Sequence, residues 1–173
     1  MPRIRLAPVA VLALLAACST TPPLTAPGVP AALNPPAGQT LYLETLARGV
    51  QIYECAQKAD GSYEWAFKAP EAVLEARTGA SLGKHYAGPT WEAPDGSTVV
   101  GEVKARDPGP SSTAIPWLLL ANKSNTGSGM FAATRSIQRV DTVGGLAPAT
   151  ACAAGNLKAL AKVPYTATYY FYR

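Results

Sequence analysis

One histidine stands in the whole chain, and it sits among other groups able to do chemistry. The segment "GKHYAGPTWEAPDGSTVVGEV", residues 83–103, carries His85, then Trp91, with the carboxylates of Glu92 and Asp95 just beyond. An imidazole near carboxylates can titrate close to neutral pH and move protons, so His85 with Glu92 or Asp95 is the candidate catalytic set, of hydrolase type. The same stretch offers His85, Trp91 and Glu92 as candidate ligand-binding residues. A structural reading accounts for every residue without chemistry and is preferred. In it, Gly88-Pro89 bends a strand, Trp91 fills core, and Pro94-Asp95-Gly96 turns a hairpin in which Asp95 accepts backbone hydrogen bonds. His85 and Trp91 would share one face of an unbroken strand, but Gly88-Pro89 interrupts it.

Other chemistries find less. A zinc or transition-metal site draws on several histidines or cysteines, and one histidine does not supply them. The twelve-residue spacing of a calcium loop is missing, leaving only Glu92, Asp95 and backbone oxygens for a hard cation. There is no G-x-S-x-G elbow, and "VGGLAP" lacks the lysine and following Ser/Thr of a phosphate-binding loop. The C-terminal aromatics Tyr165, Tyr169, Tyr170, Phe171 and Tyr172 could stack on a sugar or an apolar ligand, and more simply pack a core. No metal and no cofactor is expected.

These groups are carried on a chain of 173 residues, the length of one domain. Its start is set apart. "MPRIR" followed by the apolar "LAPVAVLALLAA" has the anatomy of a secretory signal and is too short to span a bilayer. Leu15-Ala16-Ala17-Cys18 resembles the lipobox of bacterial lipoproteins, so residues 1–17 are expected to be removed and Cys18 lipidated. That makes the membrane a partner and the bacterial cell envelope the location. Ser19 after Cys18 resembles outer-membrane lipoproteins, facing the periplasm or the surface. Arg3 and Arg5 would leave with the signal, taking 15 basic against 11 acidic residues to 13 against 11. No Lys/Arg cluster remains to bind nucleic acid.

With Cys18 lipidated, Cys55 and Cys152 are the remaining thiols in an oxidising compartment, and a Cys55–Cys152 disulfide is expected. Residues 19–40, "STTPPLTAPGVPAALNPPAGQT", are proline-rich and uncharged, so 18–40 is read as lipidated cysteine and tether. From Leu41 to the C-terminus the pattern is strand-like. "GVQIYEC" and "SYEWAFK" flank Asp60-Gly61 as a hairpin. "EAVLEARTG" fits a helix or a short strand. "STVVGEVKA" and the apolar "WLLLANKS" read as strands, "MFAATRSIQRVDTV" as a strand with a bulge, and "NLKALAK" as a helical turn or two. "YTATYYFYR" carries aromatics on both faces, which implies burial on both sides or an exposed aromatic strip. Eight or so strands separated by turns make 41–173 an all-β, mainly antiparallel single domain, a sandwich or a barrel with little helix.

"GVQIYEC", "HYAGPTWEAPDGSTVVGEV", "IPWLLL", "IQRVDTVGGLAP…C" and "YTATYYFY" together resemble, in order, the secreted proteins grouped as domain-of-unknown-function family 3455. The resemblance implies a mostly β secreted domain, with the histidine segment part of the shared architecture. It implies no reaction and supplies no catalytic residues. The function expected is a non-catalytic binding or structural module for a small molecule, a glycan or an envelope protein, with the hydrolase as the alternative.

Overall fold

The computed structural model describes residues 23–173; the signal segment and Cys18 lie outside the described residues. Eight strands follow one another: β1 (Leu41–Gln57), β2 (Tyr63–Glu75), β3 (Ser81–Tyr86), β4 (Thr90–Glu92), β5 (Thr98–Asp107), β6 (Trp117–Thr126), β7 (Ser136–Gly144) and β8 (Leu160–Tyr172). Each pairs antiparallel with the next, and β8 returns to pair with β1, so the sheet closes into a barrel. Closure leaves no unpaired sheet edge. Because direction alternates strand by strand, the connections β1–β2, β3–β4, β5–β6 and β7–β8 gather at one end, here the loop end. The other connections and both ends of the barrel chain lie at the opposite end.

Side chains alternate between lumen and outside along each strand. On β1, Thr45, Ala47, Gln51, Tyr53 and Cys55 are buried while their neighbours are not. On β8 the inward set is Tyr165, Ala167, Tyr169 and Phe171, paired across from Gly49, Ala47, Thr45 and Leu43. These residues pack with Trp91, Val99, Leu118, Leu120, Phe131 and Ile137 into one core inside the barrel. The outward aromatics of β8 are buried as well: Tyr170 and Tyr172 pack with Val140, against Val29, Leu41 and Trp117. Both faces of the terminal strand are therefore covered.

The covering chain comes from the segment expected to be tether. A 3₁₀ turn, Ala31–Leu33, lies against the barrel, and Leu33 is 0% exposed. Its carbonyl accepts a hydrogen bond from Gln138 Nε2 at 2.7 Å, and Gln138 Oε1 in turn accepts from the Tyr172 hydroxyl at 2.5 Å. Within the described part of the segment expected to be a free tether, residues 23–40, Val29 packs against the outward cluster of β7–β8 and the Ala31–Leu33 turn packs on β5 and β6, so this stretch is seated on the barrel.

Three local expectations are settled by the structure. Of "EAVLEARTG", for which helix and short strand both stood open, Glu71–Glu75 completes the long strand β2, with Ala72 and Leu74 facing the core, and the rest forms the turn to β3. "NLKALAK" is not helical; a single 3₁₀ turn, Ala154–Asn156, precedes β8. Gly88-Pro89 does not bend one strand but belongs to the turn that separates β3 from β4, with Gly88 at φ +128°. The bulge read into "MFAATRSIQRVDTV" falls between Val140 and Val143, where Asp141 takes φ 50°.

A disulfide joins Cys55 on β1 to Cys152, closing a loop across 97 residues of sequence. It ties down the β7–β8 connection at the loop end. The same connection is held by the Tyr53 hydroxyl on the Gly145 carbonyl, 2.6 Å, and by Trp65 Nε1 on the Thr150 carbonyl, 2.9 Å.

Candidate functional site

His85 and Trp91 meet, although not as neighbours on one strand. They are cross-strand partners in the β3–β4 pair and both face the lumen. Their rings stack at 4.3 Å with planes 17° apart, and Tyr169 of β8 meets both edge-on at 5.2 and 5.3 Å. Gly101 on β5 makes room for the indole, since a Cβ there would come within 3.0 Å of Trp91 Cζ3.

His85 is 3% exposed and its Nδ1 lies 2.9 Å from the Thr90 carbonyl oxygen. A carbonyl only accepts, so Nδ1 carries the proton and Nε2 the lone pair. Burial in this aromatic cage lowers its pKa from 6.5 to about 3, against the stabilising hydrogen bond to Thr90 and with some repulsion from Arg139. The ring is therefore neutral at pH 7. An acid–base group poised near neutrality, the chemistry read from the sequence, is not what the cage makes.

The two carboxylates lie elsewhere. Glu92 follows Trp91 directly and so points outward, where it accepts from the Tyr86 hydroxyl at 2.7 Å and pairs with Lys84 at 3.1 Å. Those two contacts, Tyr86 first, hold its carboxyl below the usual range. Asp95 sits in the β4–β5 turn at the end opposite the loop end. Its two oxygens accept the backbone N–H groups of Ser97 and Met130, each at 2.8 Å, which clamps this turn to the β6–β7 connection. Neither carboxylate reaches His85. The structure thus brings together His85 and Trp91 and leaves Glu92 and Asp95 outside that group.

What the inward residues enclose is a cavity of about 560 Å³, open at the loop end. Leu118, Leu120, Val103, Trp91, Ile115 and Phe67 give it apolar walls, with the β3–β4 turn (Gly88, Pro89) and Pro116 at the rim. Set into these walls are Tyr169, one of the C-terminal aromatics read as able to stack on a ligand, and polar groups the sequence reading did not single out: Gln51, Arg139, Arg106, Lys68 and Tyr53. Arg139 faces inward from β7, in phase with the core residue Ile137 and paired across from Leu118 and Tyr169. A charged residue in phase with an apolar strand face is the signal that could have found it. Gln51, in phase with Tyr53 and Cys55, carries the same signal.

Several of these groups lack a well-formed hydrogen bond. Gln51 Nε2, Trp91 Nε1 and the hydroxyls of Tyr165 and Tyr169 are buried and meet no partner at full hydrogen-bond geometry among the described residues. Tyr165 nonetheless lies beside Gln51 and Tyr169, and Tyr169 beside Arg139, close enough to act on one another's titration. Tyr165 abuts this group from the side of Gln51, since a Cβ on Gly145 would touch both. Burial raises the pKa of Tyr53, Tyr165 and Tyr169, and in each case the positive charge of Arg139 works against the rise. Arg139 is thus the local source of positive potential for the polar wall. Among the described residues it forms no ion pair, and its Nε and Nη2 donate to the Pro116 carbonyl at 3.2 and 2.7 Å.

Eight antiparallel strands closed on themselves, with an apolar-walled cavity open at one end, define a small up-and-down β-barrel of ligand-holding dimensions. The chain belongs to the family described as protein of unknown function (DUF3455), whose model matches residues 36–173. Curated proteins and solved structures give no match.

Proposed function

We propose that this protein is a lipid-anchored module of the bacterial cell envelope that holds a small molecule in the lumen of its barrel, without catalysis. One observation carries the reading: Gln51, Trp91 and Tyr169, each with a buried polar atom that makes no well-formed hydrogen bond among the described residues, line an apolar cavity open at one end. A buried polar group without a partner costs about 1–3 kcal/mol, so native proteins retain few of them away from functional positions. A molecule in the lumen supplies the missing partners while its apolar part covers Leu118, Leu120 and Trp91. The signal-like start and Cys18 support the anchor, and the disulfide suits an oxidising compartment.

The test is binding of the neutral apolar dye 1-aminoanthracene, followed by its fluorescence. Wild type is expected to bind it, and Val103→Trp, which fills the lumen, is expected to lose it with the unfolding midpoint preserved. Equal binding by both proteins, or none by wild type, would count against the lumen. Glu92→Gln, on the outer face, is expected to bind as wild type does. Membrane pelleting of the full-length protein, lost in Cys18→Ser, tests the anchor separately.

A further inference from the structure

We infer that the molecule held in the lumen is an amphipathic anion: one acidic head group on a compact apolar body, with the head on Arg139 and the adjoining donors of Gln51 and Tyr169. This rests on the reading of the lumen as a binding site and adds the chemistry of what binds.

The lining has a consistent sign. Among the described residues Arg139, Arg106 and Lys68 are its charged ones, and no aspartate or glutamate lines it. Lys68 is already paired with Glu54 on the outside, and Arg106 is exposed at the mouth. Arg139 is the cation set deeper, between Leu118 and Tyr169. Its guanidinium carries five N–H donors; Nε and Nη2 go to the Pro116 carbonyl, and the neutral Tyr169 hydroxyl lies alongside, so its charge has no counter-charge among the described residues. The neighbouring unpartnered atoms Gln51 Nε2 and Trp91 Nε1 are donors only, and the tyrosine hydroxyls can donate as well. A wall of donors around an arginine without a counter-charge is complementary to a carboxylate or another acid oxygen, because charge-assisted and bidentate hydrogen bonds are the strong ones. His85 adds no charge to this lining: burial keeps the ring neutral, with Nδ1 donating to the Thr90 carbonyl and Nε2 left as an acceptor.

The remaining wall decides the body. Val103, Leu118, Leu120, Trp91 and Ile115 offer no hydrogen bonds to a hydroxyl-rich guest apart from the indole N–H, so a sugar would lose water at most of its hydroxyls without replacement. An alkyl or aromatic body loses none.

The experiment uses three probes of one chain length: decanoate, decanol and decyltrimethylammonium. Each competes at pH 7.4 against 1-aminoanthracene on wild type, on Arg139→Gln and on Arg139→Lys. Decanoate is expected to bind wild type at least ten-fold tighter than decanol, with the ammonium weakest. Arg139→Gln is expected to lose that ten-fold preference for decanoate over decanol, and Arg139→Lys to keep part of it. Equal displacement by decanoate and decanol on wild type would overturn the anion while leaving the lumen reading intact. Dye binding that none of the three displaces would overturn it in the same way. Failure of the dye itself to bind would overturn both. Since the three probes are compared on wild type, the inference stays refutable even if Arg139→Gln folds poorly.

Discussion

His85 is buried as a neutral ring, and that state has a price in acid. In the unfolded chain it titrates at 6.5, whereas in the fold its pKa is depressed to about 3. Between those values the unfolded state binds more protons, so stability rises with pH across the window and falls as the solution is acidified. The full contribution is present above pH 6.5. Each unit below it removes about 1.4 kcal/mol, or about 2 kcal/mol by pH 5. That interval lies above the range in which carboxylates such as Asp95, whose pKa is lowered from 3.8, make their own contribution. His85→Asn removes the titration and keeps a donor for the Thr90 carbonyl, at the loss of the stack on Trp91, about 1–3 kcal/mol at pH 7. Urea unfolding of both proteins at pH 7, 6 and 5, followed by far-UV circular dichroism, should therefore show the wild type losing about 2 kcal/mol and the variant much less. The two stabilities converge towards pH 5. If they fall in parallel, His85 is not held neutral by burial, and the aromatic cage does not behave as drawn.

Three further outcomes follow from the packing. Replacing Cys55 and Cys152 together by serine should lower stability by up to about 4.7 kcal/mol in the chain-entropy model, read as a lower urea midpoint. Gly101→Val should cost about 1–3 kcal/mol, because its Cβ would sit 3.0 Å from Trp91 and 3.1 Å from Leu120, and near-UV circular dichroism should report the displaced indole. Leu33→Ala should destabilise by about 2–5 kcal/mol if the segment before β1 is part of the folded unit; an unchanged midpoint would return that segment to the role of a tether.

Much of the fold was legible because its signals are local. The period of two in "SYEWAFK" and the Asp60-Gly61 turn gave the β1–β2 hairpin, and the two-faced aromatics of β8 allowed burial on both sides or an exposed strip, of which the structure has the first. Barrel against sandwich could not be read, since closure rests on the pairing of β1 with β8, across more than a hundred residues, and no local pattern encodes it. The site was half legible. His85 and Trp91 were identified from residue type, but their contact comes from cross-strand register after a turn at Gly88-Pro89, not from spacing along one strand. Glu92 was grouped with them by proximity in sequence, and alternation puts it on the other side of the sheet. Gln51 and Arg139 were overlooked because each looks like an ordinary polar residue within a strand until the phase of its neighbours shows that it points inward.

The most direct measurement places the guest. Protein with ¹³C-labelled leucine, isoleucine and valine methyls, mixed with decanoate, is examined for intermolecular nuclear Overhauser contacts. The expected contacts run from the decanoate chain to Ile115, Leu118, Leu120 and Val103, all on the lumen wall. Contacts confined to Val73, Val143 or Leu157, which are exposed on the outside, would contradict a ligand held within the barrel.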